Sequence, residues 1–471
     1  MADWTLPDIA LPTLRAQAGY RSSSWTCGMT AKLFLGRICV VALLTPMAVV
    51  SQSYDQAEIE LFQKLNQQDG DLARYIYLKR VIPHLSASDQ IVANQLLSSS
   101  ESELGLYDQA ILGFPLKSKA LPNLTLPTTG DWEAIDASDA ITKLSTDRRI
   151  VLVNEAHHDA HTRQLTLTLL PRLRALGFTY FAAEALSDKD LELMRRGYPI
   201  KESGTEYLRE PLYGDIVREA IRLGFIIVPY DSSESGEERE IGQANNLYQR
   251  VFAKDPKARL FVHCGYAHID KAAGRLGNIE PLAMRLRELT GFDPLSIDQT
   301  QFLEVVTDPS DAYHQLITSF HPTIPVVLAN HINGKLWSAE PKLYDVNVIL
   351  PASVGLRSFG SSAEANHVED ITRLSLDLMN PKDMQRPNWL TLSGTRSSIP
   401  ISADLCKRHF PCAVKAEYVD ESDGAIAADR YVFFEPLVES KLYLRPGFYR
   451  LSALNSSGGI LSEQTIHVAK H

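Results

Sequence analysis

The chain has no run of basic residues, no Cys-x-x-Cys pair and no Gly-x-Ser-x-Gly elbow. It also has no uninterrupted apolar stretch of the ~20 residues needed to span a bilayer. Each absence removes a class of function. Without clustered Lys and Arg, and with a net charge of -10 and a pI near 5.8, nucleic acid is excluded as the main partner. Without Cys-x-x-Cys spacing, a cysteine zinc site is excluded. Without the elbow, a serine nucleophile of the common hydrolase type is not expected.

The apolar stretch that does occur, "ICVVALLTPMAVV" (38–50), follows Lys32 and Arg37 and precedes "SQS". A basic segment, a short apolar segment and small residues at a cut site read as a secretory leader over residues 1–51. Val49 and Ser51 suit a cut before Gln52, and Met29 opens a conventional leader. Export to the periplasm or the extracellular space is therefore expected, with no stable membrane span after cleavage. Of the 5 cysteines, Cys27 and Cys39 fall in that leader. Cys406 and Cys412 are close enough to bridge in an oxidising compartment, and Cys264, inside "LFVHCGYAH", reads as a core thiol.

The 471 residues exceed the roughly 250–300 at which single cores stop growing, so two or more domains are expected. Residues 52–130 read as a helical region and a linker, with Leu61, Leu65, Ile76 and Val81 on core faces. No repeat period is evident there. From 131 to 350 short apolar runs such as "RIVLVN", "YFAAE", "FIIVPYD" and "RLFVHCG" alternate with amphipathic helical segments. Pro171 predicts a kink or early break in the helix after residue 163. Residues 386–471 read as short strands with turns. The fold class expected is α/β: a mostly parallel sheet with helices on both faces, preceded by a helical region and followed by a small β-sandwich.

In open parallel sheets, ligands bind beyond the carboxyl ends of the strands. The residues that follow the expected strands are chemically loaded: Asn154, Glu155, His157 and His158, then Glu184, then Tyr230 and Asp231, then Gly265 and His268, then Asp298 and Gln299. A buried strand-terminal glutamate is costly unless paired, which favours a working role for Glu184. Asp231, Asp298 and Gln299 also suit helix or turn caps. Arg163 suits a clamp on a carboxylate. His161 reads as an exposed first-turn residue, and His263 as a packed core histidine, whereas His268 lies past the sheet edge and faces the crevice.

The set "NEAH" (154–157), Glu184, "ERE" (238–240) and "GYAH" (265–268) resembles the erythromycin esterase-like/ChaN-like and TraB/Tiki superfamily over roughly residues 140–300. Glu155 and His157 match its first motif, Glu184 its strand acid, Arg239 and Glu240 its helix pair, and Gly265 and His268 its second motif. Asn154 stands where that superfamily usually has glycine. The resemblance implies hydrolysis of an ester or peptide bond, or else haem or iron binding without turnover. On the first reading the substrate is a small molecule or a peptide. Glu155, His157, Glu184 and His268 form the catalytic set, and His157, Glu184 and His268 hold a divalent metal ion. His158, Arg163, Asp231, Arg239 and Glu240 line the substrate site. On the second reading haem is the cofactor, with Tyr230 and Tyr266 nearby.

Overall fold

The computed structural model describes residues 56–68, 70–116, 121, 123–304, 311–353 and 386–470. The leader expected over residues 1–51 lies outside these, as does most of the stretch from 351 to 385. No helix among the described residues is long and apolar enough to cross a membrane.

Four helices come first: α1 (Gln56–Asn66), α2 (Asp71–Val81), α3 (Ala87–Glu103) and α4 (Tyr107–Gly113). Ser86 caps α3 by accepting from the Asp89 N–H, the short-range bond that an N-cap serine supplies. Leu61, Leu65, Leu72, Leu78, Ala93 and Leu97 form their shared core, with Ile76 and Val81 at its margin. The last two turns of α3 are buried although polar. Burial pushes the Glu101 carboxyl up to about 8 and that of Glu103 up to about 7.

The central unit runs β1 (Trp132–Asp136), α5 (Ala137–Leu144), β2 (Ile150–Glu155), α6 (Arg163–Ala175), β3 (Tyr180–Ala183), α7 (Leu193–Arg196) and α8 (Pro211–Arg222). It continues through β4 (Ile226–Pro229), α9 (Gly236–Leu247), β5 (Leu260–Gly265), α10 (Leu282–Thr290), β6 (Leu295–Asp298), α11 (Ala312–Phe320), β7 (Val326–Asn330) and β8 (Val346–Asn347). Six of these strands form one parallel sheet in the order β4-β3-β5-β2-β6-β8. β1 and β7 pair antiparallel beside it. The fold is therefore mixed α/β.

Side chains alternate between faces along a strand, and that alternation sorts the core. Val151, Val153, Phe181, Ala183 and Phe261 pack with Leu169 and Leu173 of α6 and Ile216 and Ala220 of α8. Ile150, Leu152, Ala182, Leu260 and Val262 pack with Leu247 of α9 and Leu286 of α10. Truncating one such leucine to alanine removes ~2–5 kcal/mol. Contrary to expectation, α6 runs through Pro171 to Ala175. Pro171 is exposed, and buried leucines on both sides of it hold the helix together.

The C-terminal residues form antiparallel sheets. β9 (Ser397–Ser402) pairs with β12 (Glu439–Leu444), while β10 (Cys412–Tyr418), β11 (Asp429–Phe433), β13 (Gly447–Leu454) and β14 (Ile460–Val468) form a second sheet. Cys406 and Cys412 are joined by a disulfide, and Cys264 is buried as a free thiol. Leu390, Leu392, Ile426 and Tyr443 belong to the same apolar cluster as the parallel sheet, so that core crosses the boundary near residue 350 suggested by the composition.

Candidate functional site

Register explains why distant residues meet. Glu155 pairs with Gly265, Val153 with His263, and Ala183 with His263, so the carboxyl ends of β2, β3 and β5 lie level. Glu155 shares the face of Val151 and Val153, whereas Glu184, one residue past Ala183, turns to the opposite face. The two glutamates thereby seed two buried networks, one on each side of the sheet.

On the α6 and α8 side, Arg163 donates to Glu155 through Nε at 2.6 Å and Nη2 at 3.3 Å. Its Nη1 donates to Glu210 Oε2 at 3.0 Å, and the Tyr107 hydroxyl donates to Glu210 Oε1 at 2.9 Å. Glu210 also caps α8 through the Tyr213 N–H. His263 Nε2 lies 3.0 Å from Glu155 Oε2, and its Nδ1 lies 2.9 Å from the Thr166 hydroxyl. Burial alone pushes the Glu155 carboxyl up, but Arg163 and His263 outweigh it and hold the group well below the usual carboxylate range.

On the α9 side, Arg239 Nη2 donates to Glu184 Oε1 at 2.5 Å and its Nε to Asp231 Oδ1 at 3.1 Å. The Gly265 N–H donates to Glu184 Oε2 at 2.6 Å. His268 Nδ1 lies 2.7 Å from Glu240 Oε1, and its Nε2 lies 3.5 Å from Glu184 Oε1 and 3.3 Å from Arg239 Nη1. Glu240 in turn accepts from the Leu282 N–H at the start of α10. Burial opposes ionisation of Glu184, yet His268 and Arg239 keep its carboxyl well below the usual range. For Asp231 burial prevails and raises it.

His157 joins the two halves. Its Nδ1 lies 2.9 Å from Glu155 Oε1, and its ring rests on Gly265, where a Cβ would come within 2.7 Å of Cε1 and Nε2 and 3.3 Å of Glu184 Oε2. Tyr207 stacks on the ring at 4.0 Å, and Tyr266 meets it edge-on at 5.1 Å. Tyr266 has φ +35°, an unusual conformation for a bulky residue, and Asn154 Nδ2 grips its carbonyl at 2.8 Å. The His157 side chain is 15% exposed, against 2% for Glu155 and 0% for His268. Of these three groups it is therefore the one that reaches solvent.

The structure thus brings Glu155, His157, Glu184, His268, Arg163, Arg239, Glu240 and Asp231 to one sheet edge. His158 and His161 behave differently. His158 stacks face to face on Phe114 at 3.5 Å, and burial beside His157 lowers it to about 3. His161, expected at the surface, is buried against Trp389 at 4.5 Å because the C-terminal residues cover it. Asn154 ties β2 to β6, donating to Asp298 Oδ1 at 2.8 Å and accepting from the Gln299 N–H at 2.7 Å. Tyr230 is buried. Sequence reasoning missed Glu210, Tyr107 and Tyr207. Only Glu210 left a trace, as an acid before the helix-opening Pro211.

Among the described residues no group of three or more His, Cys, Asp or Glu side chains is placed to hold an ion. The Arg239 guanidinium already lies between Glu184, Asp231 and His268, supplying the positive charge that a dication would bring.

No family model matches the chain, and no curated protein matches it. Similar solved structures include one described as bacterial protein toxins, with 19% identity and a TM-score of 0.27 over 36% of this chain and 38% of that one. Another is the RRSP effector domain of a MARTX toxin from Vibrio vulnificus, with 22% identity and a TM-score of 0.26 over 32% and 34%. A third is the type III effector HopBA1, with 13% identity and a TM-score of 0.25 over 38% and 87%. The chain spans little more than a third of the first of these, and likeness at this level carries no functional argument.

Proposed function

We propose that the chain is a hydrolase of ester or peptide bonds in which His157 is the general base and Glu155 its orienting partner. One observation carries this reading: the Glu155–His157 bond at Nδ1 leaves Nε2 as the acceptor on a ring that reaches solvent. Glu155 itself is too deeply held to touch a substrate, so the base is His157. Water would lose a proton to Nε2 as its oxygen attacks the carbonyl carbon, and the same nitrogen would return the proton to the leaving group. Arg239, fixed by Glu184 and Asp231, supports the negative charge that develops on the carbonyl oxygen. The Cys406–Cys412 disulfide accords with export to an oxidising compartment. The proposal also takes the parallel sheet as layered by helices on both faces. It takes β9 to β14 as a small β-sandwich, since both C-terminal sheets share one core.

The test is a panel of chromogenic esters and a peptide library, run on the full chain and on His157→Ala. Turnover lost in the variant is expected, and a variant as active as the parent would sink the proposal. Chelator and added zinc in the same assay test the metal-dependent form. A Soret band in protein without turnover would favour the haem-binding reading.

A further inference from the structure

The C-terminal sheets meet the central unit through buried arginines. Arg386, 5% exposed, donates to both oxygens of Asp429 at 2.9 and 2.8 Å. The same carboxylate accepts from the Arg430 N–H at 2.9 Å and the Tyr443 N–H at 2.6 Å, so its lone pairs are used up. Arg396, 2% exposed, precedes β9, whose Ser397 and Ser398 pair with Leu444 and Tyr443. Its Nη2 donates to the Ala428 carbonyl at 2.6 Å.

Among the described residues nothing accepts from Arg396 Nε or Nη1, from Arg386 Nε or from the Tyr443 hydroxyl, all of them buried. The other acid close enough to act on Arg396 is Asp215, which faces Arg218 at 3.8 Å and Arg445 at 3.6 Å. Two buried guanidinium groups therefore share one saturated carboxylate. Buried donors left without an acceptor are costly. Unmet donors of a single sign are what an anion satisfies.

We propose a buried site for a small monovalent anion at the junction of β9, β11 and β12, held by Arg396 Nε and Nη1 and by the Tyr443 hydroxyl. The depth of these donors selects a halide-sized ion over phosphate or a substrate carboxylate. The site sits beside the catalytic framework: the Arg386 guanidinium lies 5.5 Å above the Tyr107 ring, whose hydroxyl holds Glu210. An anion there neutralises the point where the helical region, the parallel sheet and the C-terminal sheets meet.

The experiment is thermal unfolding of the full chain in chloride against gluconate at constant ionic strength, with a bromide-soaked crystal read by anomalous scattering. Raising chloride from about 1 to 100 mM should lift the melting temperature saturably, by roughly 2–6 °C. Arg396→Gln should abolish that dependence. If it does not fold, Tyr443→Phe, which removes one donor, should move the chloride midpoint several-fold higher. Bromide within hydrogen-bonding distance of Arg396 is the expected crystallographic result. Identical melts in the two salts, or ordered water alone at Arg396, would overturn the proposal.

Discussion

His263 Nε2 stands 3.0 Å from Glu155 Oε2, which makes a fully buried strand histidine a direct partner of the carboxylate that orients His157. Its other nitrogen is held by Thr166, so the ring cannot turn without breaking two bonds. His263→Ala is expected to cost ~1–3 kcal/mol by leaving Glu155 and Thr166 short of a partner. His268, equally buried and bound to Glu240, should cost a similar amount, contrary to the harmless truncation that a crevice position would allow. Urea melts of both alanine variants decide this, and a His268→Ala protein as stable as the parent would contradict the geometry.

Gly265 offers a cleaner probe of the site. Its φ of -80° suits any residue, so Gly265→Ala carries no backbone strain. The added methyl would meet the His157 ring at 2.7 Å and push it off its seat. Turnover should fall at least tenfold while the melting temperature changes little. Parental turnover in this variant would show that the position of His157 does not matter.

Glu101 gives a pH prediction. Its folded value, raised by burial from 4.5 to about 8, means that the folded chain holds a proton the unfolded chain releases. That group therefore costs nothing below pH 4.5, and its cost grows as pH rises until it levels off near 8. Glu101→Gln should stabilise the protein by on the order of a few kcal/mol at pH 8 and by little at pH 5. Equal effects at the two values would show that folding does not raise the Glu101 carboxyl.

A chain ending at residue 350 keeps every proposed site group yet loses Leu390, Leu392, Ile426 and Tyr443 from the core around the parallel sheet. Each buried side chain of this kind is worth ~1.5–3 kcal/mol, so the shortened chain should not fold cooperatively. Dispersed amide resonances from it would prove the central unit independent.

The parallel strands were legible because buried strands are continuous apolar runs, and the site because ionisable residues followed nearly every one. Period-two alternation also places Glu155 and His263 on one face, since Val153 pairs with His263, but that needs the register, which sequence alone does not supply. Glu210 and Tyr107 were invisible for a related reason. They reach the site from elements 103 residues apart, and nothing local distinguishes a glutamate that caps a helix from one that also anchors an arginine. His161 was misjudged because the surface that buries it comes from Trp389, far along the chain.

The two networks hang on different helices, Arg163 on α6 and Arg239 on α9, with the sheet edge as a partition between them. Sliding either helix by a fraction of a turn would draw its arginine off the glutamate that the sheet carries, while Glu155 and Glu184 kept their register. His157, seated across the edge of that partition, is the part that would register the slip. The apparatus is thus tuned like a gauge, by the seating of each helix against the one sheet that carries both glutamates.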